Sequence, residues 1–257
     1  MTSILDNIIT GREIVPPRLF IYGQEKIGKT TFAAGADRPI VIQTEEGAHE
    51  LGVPRFPLAK SLEDVAKAIK ALATEEHDFG TVVLDSADWL EALIHASVCT
   101  DLGVNNISDV DYGKGYTAAA AKWRQVLDSL DGLRAKGMAV VIIGHAEVKR
   151  FDDPTTDGYD RFQPKLHKHA AALVTEWSDA IMFACLETFV KKEKGLSGAK
   201  EVKAKTSGRR VLRTTGAPAY VAGNRYGLPE TIDLTWAAFE DAFAACGSKV
   251  EEKKAAE

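Results

Sequence analysis

The run Gly23-Gln24-Glu25-Lys26-Ile27-Gly28-Lys29-Thr30 constrains this chain more than any other feature, because it has the pattern GxxxxGK[ST]. Glycines at its first and sixth positions let the backbone curl without Cβ clashes, so that successive N–H groups point inward and cradle a polyphosphate. Lys29 is then in reach of the β- and γ-phosphates and the Thr30 hydroxyl in reach of Mg²⁺, while Thr31 packs against or bonds the α-phosphate. A chance match occurs in roughly one chain of this length per hundred at ordinary glycine usage. Requiring a strand before it and a helix after it makes chance rarer still. Arg18-Leu19-Phe20-Ile21-Tyr22, following Pro16-Pro17, reads as a buried strand, and Lys29 to Ala36 opens a helix. The loop therefore predicts an α/β fold built around a nucleoside triphosphate, with ATP and Mg²⁺ as its cofactors.

The rest of the first half repeats that alternation. Pro39-Ile40-Val41-Ile42-Gln43 is a second short apolar run. Leu62, Val65, Ala66, Ile69 and Leu72 fall at helical spacing behind Ser61, an N-cap residue, with Glu63 and Asp64 in the first turn. Thr81-Val82-Val83-Leu84-Asp85 is a third strand, apolar enough to be covered on both faces. A long amphipathic helix through Trp123, Val126, Leu127, Leu130 and Leu133 ends at Gly137, and a fourth strand runs from Ala139 to Ile143. Strands alternating with helices predict a mainly parallel, three-layer sheet. Val148 to His169 is polar and mixed with aromatics, and reads as a functional or mobile loop. Asp179 to Val190 and Arg209 to Arg213 predict a hairpin, and Trp236, Phe239 and Phe243 a last helix. The expected layout is one ATPase domain over 1–246, its core about 15–190 and a C-terminal hairpin and helix about 187–246, with a flexible tail over 247–257.

Within that frame Asp85 ends its strand as a Walker B carboxylate, able to hold the water shell of Mg²⁺, with Ser86 beside it. Asp88 opens a helix, where a carboxylate favours the dipole in any case. Glu45 and Glu46 lie just beyond the second strand, at the edge where the phosphate loop lies. Glu45 is the favoured base for positioning water, with Glu46 as its alternative. His145, directly after the fourth strand, is placed to sense the γ-phosphate.

The net charge of −5 excludes a protein coated in positive potential, though not a local basic groove. Cys99, Cys185 and Cys246 are far apart and show no ligand spacing, so neither a disulfide framework nor a zinc site is expected. Met1 to Ile14 has no basic start followed by an apolar run, and no stretch approaches the ~20 apolar residues that span a bilayer, so a cytoplasmic protein without membrane contact is expected.

Together these motifs resemble the phage-encoded AAA/RecA-like ATP-binding proteins, relatives of the RecA and RadA recombinases found beside phage single-strand annealing and recombination functions. The resemblance spans roughly residues 15 to 240. It is carried by Tyr22 through Thr31, Gln43-Thr44-Glu45, Val82-Val83-Leu84-Asp85-Ser86, Tyr112-Gly113-Lys114-Gly115-Tyr116, Ile143-Gly144-His145 and Asn224-Arg225-Tyr226-Gly227-Leu228-Pro229. His145 stands where RecA itself has Gln. The resemblance implies a RecA-like ATPase with Lys29, Glu45, Asp85 and His145 as catalytic residues, a homo-oligomer in the form of a ring or filament, and a phage recombination or single-strand-binding partner. It also implies single-stranded DNA held by two loops, around Tyr112 to Tyr116 and Lys149 to His169. Tyr112, Tyr116 and Phe162 would stack on bases there, while Lys114, Lys149, Arg150, Lys165 and Lys168 reach phosphates. A second basic run includes Lys191, Lys192, Lys194, Lys200, Lys203 and Lys205. Arg209, Arg210 or Arg225 would be the finger on a neighbouring protomer's ATP. Two other readings share the loop: a small-molecule kinase with Val148 to His169 as its lid, and a nucleotide-gated interaction module.

Overall fold

The computed structural model describes residues 5, 8, 15–194 and 200–255, with the backbone alone over 190–194, 200–205 and 247–255. The basic side chains expected from Lys191 to Lys205 lie outside the described residues. In chain order the elements are β1 (Arg18–Gly23), α1 (Lys29–Ala34), β2 (Pro39–Gln43), α2 (Leu62–Thr74), β3 (Thr81–Asp85), α3 (Ala87–Leu102), α4 (Lys114–Ala135), β4 (Ala139–Phe151), β5 (Tyr159–Pro164), α5 (Lys168–Trp177), β6 (Ala180–Lys194), β7 (Lys200–Arg213), β8 (Gly223–Asn224), β9 (Thr231–Asp233) and α6 (Trp236–Ala255).

Among the described residues one sheet runs β2-β3-β4-β1-β6-β7-β9, and its first five strands are mutually parallel. Period-two alternation explains why it sits between two helical layers. Phe20, Tyr22, Val82, Leu84, Val140 and Ile142 face one core, with Leu90 and Ile94 of α3 and Trp123 and Leu130 of α4. Leu19, Ile21, Val83, Val141 and Ile143 face the other, against Phe32 of α1 and Phe239 of α6. Each fully buried leucine on these faces contributes about 1.5–3 kcal/mol. The start of α2 follows from its sequence: the Ser61 side chain accepts from the Asp64 amide and Asp64 accepts from the Ser61 amide, a reciprocal capping box. The three-layer, mainly parallel fold expected from the sequence is the fold observed.

Local detail departs from the expectations at several points. Val148 to His169 is not an open loop: β4 runs on past the sheet edge and pairs antiparallel with β5, Val148 opposite Phe162, before α5 begins. Phe162, expected to stack on bases, is half-buried and packed within the fold. Its ring stacks on Phe183 with centroids 5.0 Å apart, and its carbonyl accepts from the Tyr22 hydroxyl and the Val221 amide. Lys114 and Tyr116 lie on the first turn of α4 rather than in a loop. The expected hairpin is present: β6 pairs with β1 inside the main sheet and then continues outward, paired with β7. At the far end, the backbone over 247–255 continues α6 where a tail is expected. Among the described residues no helix is long and apolar enough to cross a membrane.

The edge of the sheet where the parallel strands begin is closed by a compact ion cluster. Asp179, just before β6, accepts from the Arg18 backbone amide at 3.1 Å and from its guanidinium at 2.9 Å, from Arg134 at 3.2 Å and from Arg225 at 3.2 Å. Burial alone would raise the Asp179 carboxyl, but the arginines, Arg18 foremost, hold it below its ordinary value. Arg225, one of the three finger residues expected from the sequence, is engaged here and also donates to the Glu176 carbonyl. It sits at the edge opposite the phosphate loop.

Candidate active site

The parallel strands all end at one edge, and the loop after β1 forms the floor of a cavity of about 570 Å³ there. Two residues of the loop take left-handed backbone angles, Lys26 at φ 59° and Gly28 at φ 110°, which is why a glycine is needed at the second of them. Gly23 is needed for closeness instead, since a Cβ there would stand 2.3 Å from the Ala184 carbonyl oxygen of the neighbouring strand β6. Gln24, Glu25 and Ile27 complete the loop, with Ile27 turned into the core beneath it. Lys29 is buried at 6% exposure and its Nζ donates to the carbonyls of Gly23 at 3.1 Å and Gln24 at 2.8 Å. Desolvation lowers its pKa, while the carboxylates of Asp85 and Glu45 pull the other way.

The Walker B strand delivers Asp85 to this floor. Thr30 Oγ1 donates to Asp85 Oδ2 at 2.7 Å, joining the two residues expected to share a metal ion. Asp85 is 5% exposed and burial raises its pKa, so it is a carboxylate short of positive charge. Among the described residues the buried Ser86 hydroxyl has no close hydrogen-bond partner, though it lies near enough to Glu45 and Asp88 to help lower both carboxyls. Among the described residues no three acidic, histidine or cysteine side chains cluster as a metal cage. The two hard oxygen donors of Thr30 and Asp85, with the Ser86 hydroxyl beside them, instead suit Mg²⁺, which keeps much of its water shell and takes its remaining ligands from phosphate. Thr31 is exposed on the cavity wall.

Glu45 is fixed by the strand next door. Thr44 donates its amide to the Asp85 carbonyl at 2.7 Å and its hydroxyl to the Ser86 carbonyl at 2.8 Å, tying the end of β2 to the end of β3. Glu45 is thereby held half-buried in the cavity, and burial raises its pKa. Glu46 also lines the cavity but is exposed. Of the two, Glu45 has the setting of a base.

His145 lies midway along β4, at the point where that strand leaves the parallel sheet, and β4 stands between the loop strand and the Walker B strand in the sheet order. Its Nδ1 is 3.0 Å from both carboxylate oxygens of Asp88, its backbone amide donates to the same residue at 3.2 Å, and its Nε2 is 3.9 Å from Glu45 Oε1. The Asp88 bond is the main cause of a raised His145 pKa. For Asp88, burial raises the carboxyl, but the bond to His145, the charge of His145 and the neighbouring backbone and Ser86 donors together outweigh it and leave the group below its usual range. Asp88 therefore fixes which His145 nitrogen faces Glu45. Sequence spacing gave no signal for that pairing, because the two residues are 57 positions apart.

Helix α3 makes a second connection one turn further on. The buried Glu91 accepts from the His167 backbone amide at 2.9 Å, just beyond the β4–β5 arm. The His167 ring stacks face to face on Tyr116, 4.1 Å between centroids at 9°, with His95 edge-on to Tyr116 and His169 5.1 Å from His167. Of the other DNA candidates, Tyr112 is 97% exposed and Lys114 and Lys168 are exposed. Lys149 is ion-paired to Glu147 at 2.6 Å, and Arg150 to Asp152 at 3.5 Å. Lys165 turns the other way: its amide donates to the His145 carbonyl, and its side chain lines the phosphate cavity. Arg210 lines the same cavity, whereas Arg209 is bound to Asp233 at 2.6 Å.

With the site in view, comparison with known proteins is informative. A family model described as "AAA domain" matches residues 15–226. The chain is also 24% identical, over 171 residues, to the SPbeta prophage-derived uncharacterized protein YorG of Bacillus subtilis (strain 168). That match takes in 63% of this chain and 49% of the relative, so the chain spans about half the length of the curated relative it matches.

Proposed function

Because the chain belongs to the AAA domain family of P-loop ATPases, we propose that it hydrolyses ATP with Mg²⁺ in a RecA-like manner, and that this activity serves single-stranded DNA in phage recombination, annealing or replication. The observation that carries the hydrolytic reading is Glu45, a half-buried carboxylate held in the phosphate cavity by Thr44 and facing His145. A carboxylate at that position accepts the proton of a water attacking the γ-phosphate. Lys29 neutralises the phosphate oxygens from the floor. Thr30 and Asp85 would hold Mg²⁺, which supplies further charge for the same oxygens when bound. His145, oriented by Asp88, stands beside Glu45 and registers whether the outermost phosphate is present.

The DNA reading is supported by the exposed face beyond α3. Tyr116 and His167 form an aromatic stack with Lys168 and Lys149 near it, and aromatic rings among cations suit unpaired bases and their phosphates. Asp88 and Glu91 lie one turn apart on α3 and grip the two ends of the β4–β5 arm, so that face is joined to the γ-phosphate side of the cavity. The prophage origin of the relative supports the phage setting. An ATPase assay with and without single-stranded DNA tests both parts. Single-stranded DNA is expected to raise turnover and to bind less tightly as salt rises, and Lys29→Ala is expected to abolish turnover. Turnover indifferent to DNA, with no salt-sensitive binding, would remove DNA from the reading and leave the ATPase.

A further inference from the structure

We propose that Arg210 acts in cis: its guanidinium binds the phosphates of the nucleotide held by its own chain, not those of a neighbour. The inference rests on the ATPase reading above and on three placements. First, β7 comes back along β6 with Arg210 opposite Leu186, and the Arg210 carbonyl accepts from the Leu234 amide at 3.1 Å, which fixes the backbone at the phosphate edge. Second, the side chain lies over the loop itself. A Cβ built on Gly28 would be 3.4 Å from Arg210 Nη1, and Arg210 borders the same cavity as Lys29, Thr30 and Glu45.

Third, Arg210 is the uncommitted member of its group. Arg209 is bound to Asp233 and Glu187, Arg213 donates to Thr231 at 2.5 Å, and Arg225 is spent on Asp179. Among the described residues the Arg210 guanidinium has no hydrogen-bonding or ionic partner, although the cavity it borders also holds Glu25, Glu45 and Asp85. A planar fork of donors that passes over those carboxylates and stands at the glycine of the phosphate loop matches the geometry of phosphate oxygens. A finger acting on a neighbour would have to point away from its own loop. Arg210 lies against it.

The test is complementation between two full-length variants, Arg210→Ala and Lys29→Ala, assayed separately and mixed. Each variant alone is expected to be impaired, Arg210→Ala by about 10- to 100-fold in kcat/KM, the scale of one charged hydrogen bond. Arg210→Lys is expected to recover part of that loss. If Arg210 acts in cis, the mixture turns over no faster than the sum of its parts. Recovery on mixing would mean that the lysine variant lends its Arg210 to the other chain's site, and would overturn the proposal. Wild-type turnover by Arg210→Ala would overturn it equally. Should the wild type bind nucleotide but not hydrolyse it, the ATPase reading fails separately. Binding of a fluorescent ATP analogue with Mg²⁺ then decides, with Arg210→Ala weakened about 10-fold if the inference holds and unchanged if it does not.

Discussion

The two edges of the central sheet hold similar residues in opposite states. Where the parallel strands begin, Asp179 is answered by Arg18, Arg134 and Arg225, and its pKa falls despite its burial. Where they end, Asp85 and Glu45 are raised and Lys29 is lowered, each chiefly by desolvation. One edge is compensated internally and the other is left short of counter-charge. A buried carboxylate beside a buried ammonium that does not pair with it costs stability, and such groups persist where a ligand supplies what they lack. The contrast separates an ion cluster satisfied within the fold from a cavity whose charges are not, without reference to any motif.

Changes at the two edges should therefore fail in different currencies. The largest effect is expected at the ligand edge: Glu45→Gln should lower kcat by about 100- to 10,000-fold, the usual contribution of a general base, while nucleotide affinity and thermal midpoint stay near wild type. Steady-state turnover beside nucleotide titration checks this, and retained turnover would transfer the role to Glu46. At the other edge, Asp179→Ala should cost about 3 kcal/mol of folding stability, because Arg18 and Arg134 lose the carboxylate they share. Denaturant unfolding measures that loss. Nucleotide affinity of the folded fraction should not change. A variant that lost affinity with stability intact would break the distinction between the edges.

The sequence disclosed most of what repeats and little of what converges. Strands β1 to β4 and helices α2 and α4 are legible because their apolar spacing is local, and the positions of Glu45, Asp85 and His145 are legible because each lies where an apolar run reaches the phosphate edge. The β4–β5 arm is hidden, since Lys149, Arg150 and Asp152 give it the composition of a loop and no apolar alternation announces its pairing. Phe162 looked available for stacking because nothing in its neighbourhood announces Phe183 or Val221. Arg210 could not be told from Arg209, its neighbour in the chain. Adjacent residues on a strand face opposite sides, so one meets Asp233 and the other meets the phosphate loop.

The smallest expected effect sharpens the comparison most, because it concerns an ion pair at the ligand edge that is internally satisfied. His145 faces Asp88, Glu45 and Lys29, and its pKa is raised chiefly by the Asp88 bond. Asp88 lies below the ordinary carboxylate value. The charged pair is therefore complete between the depressed Asp88 value and the raised His145 value. The His145 part is fully present below the ordinary histidine pKa and is lost as pH rises through the raised one. The Asp88 part is present above the ordinary carboxylate pKa and is lost as pH falls through the depressed one. If protonated His145 is the working form, turnover should fall on the alkaline side where His145 titrates. Asp88→Asn keeps an acceptor for Nδ1 but removes the charge, so that limb should move to lower pH with little change in rate at its optimum. Glu91→Gln offers a control on the same helix, because Glu91 serves the His167 amide and not His145. It should leave the limb where it was. An alkaline limb that stays fixed in Asp88→Asn would mean that some other group sets it, and that Asp88 belongs with Asp179 among the structural ions.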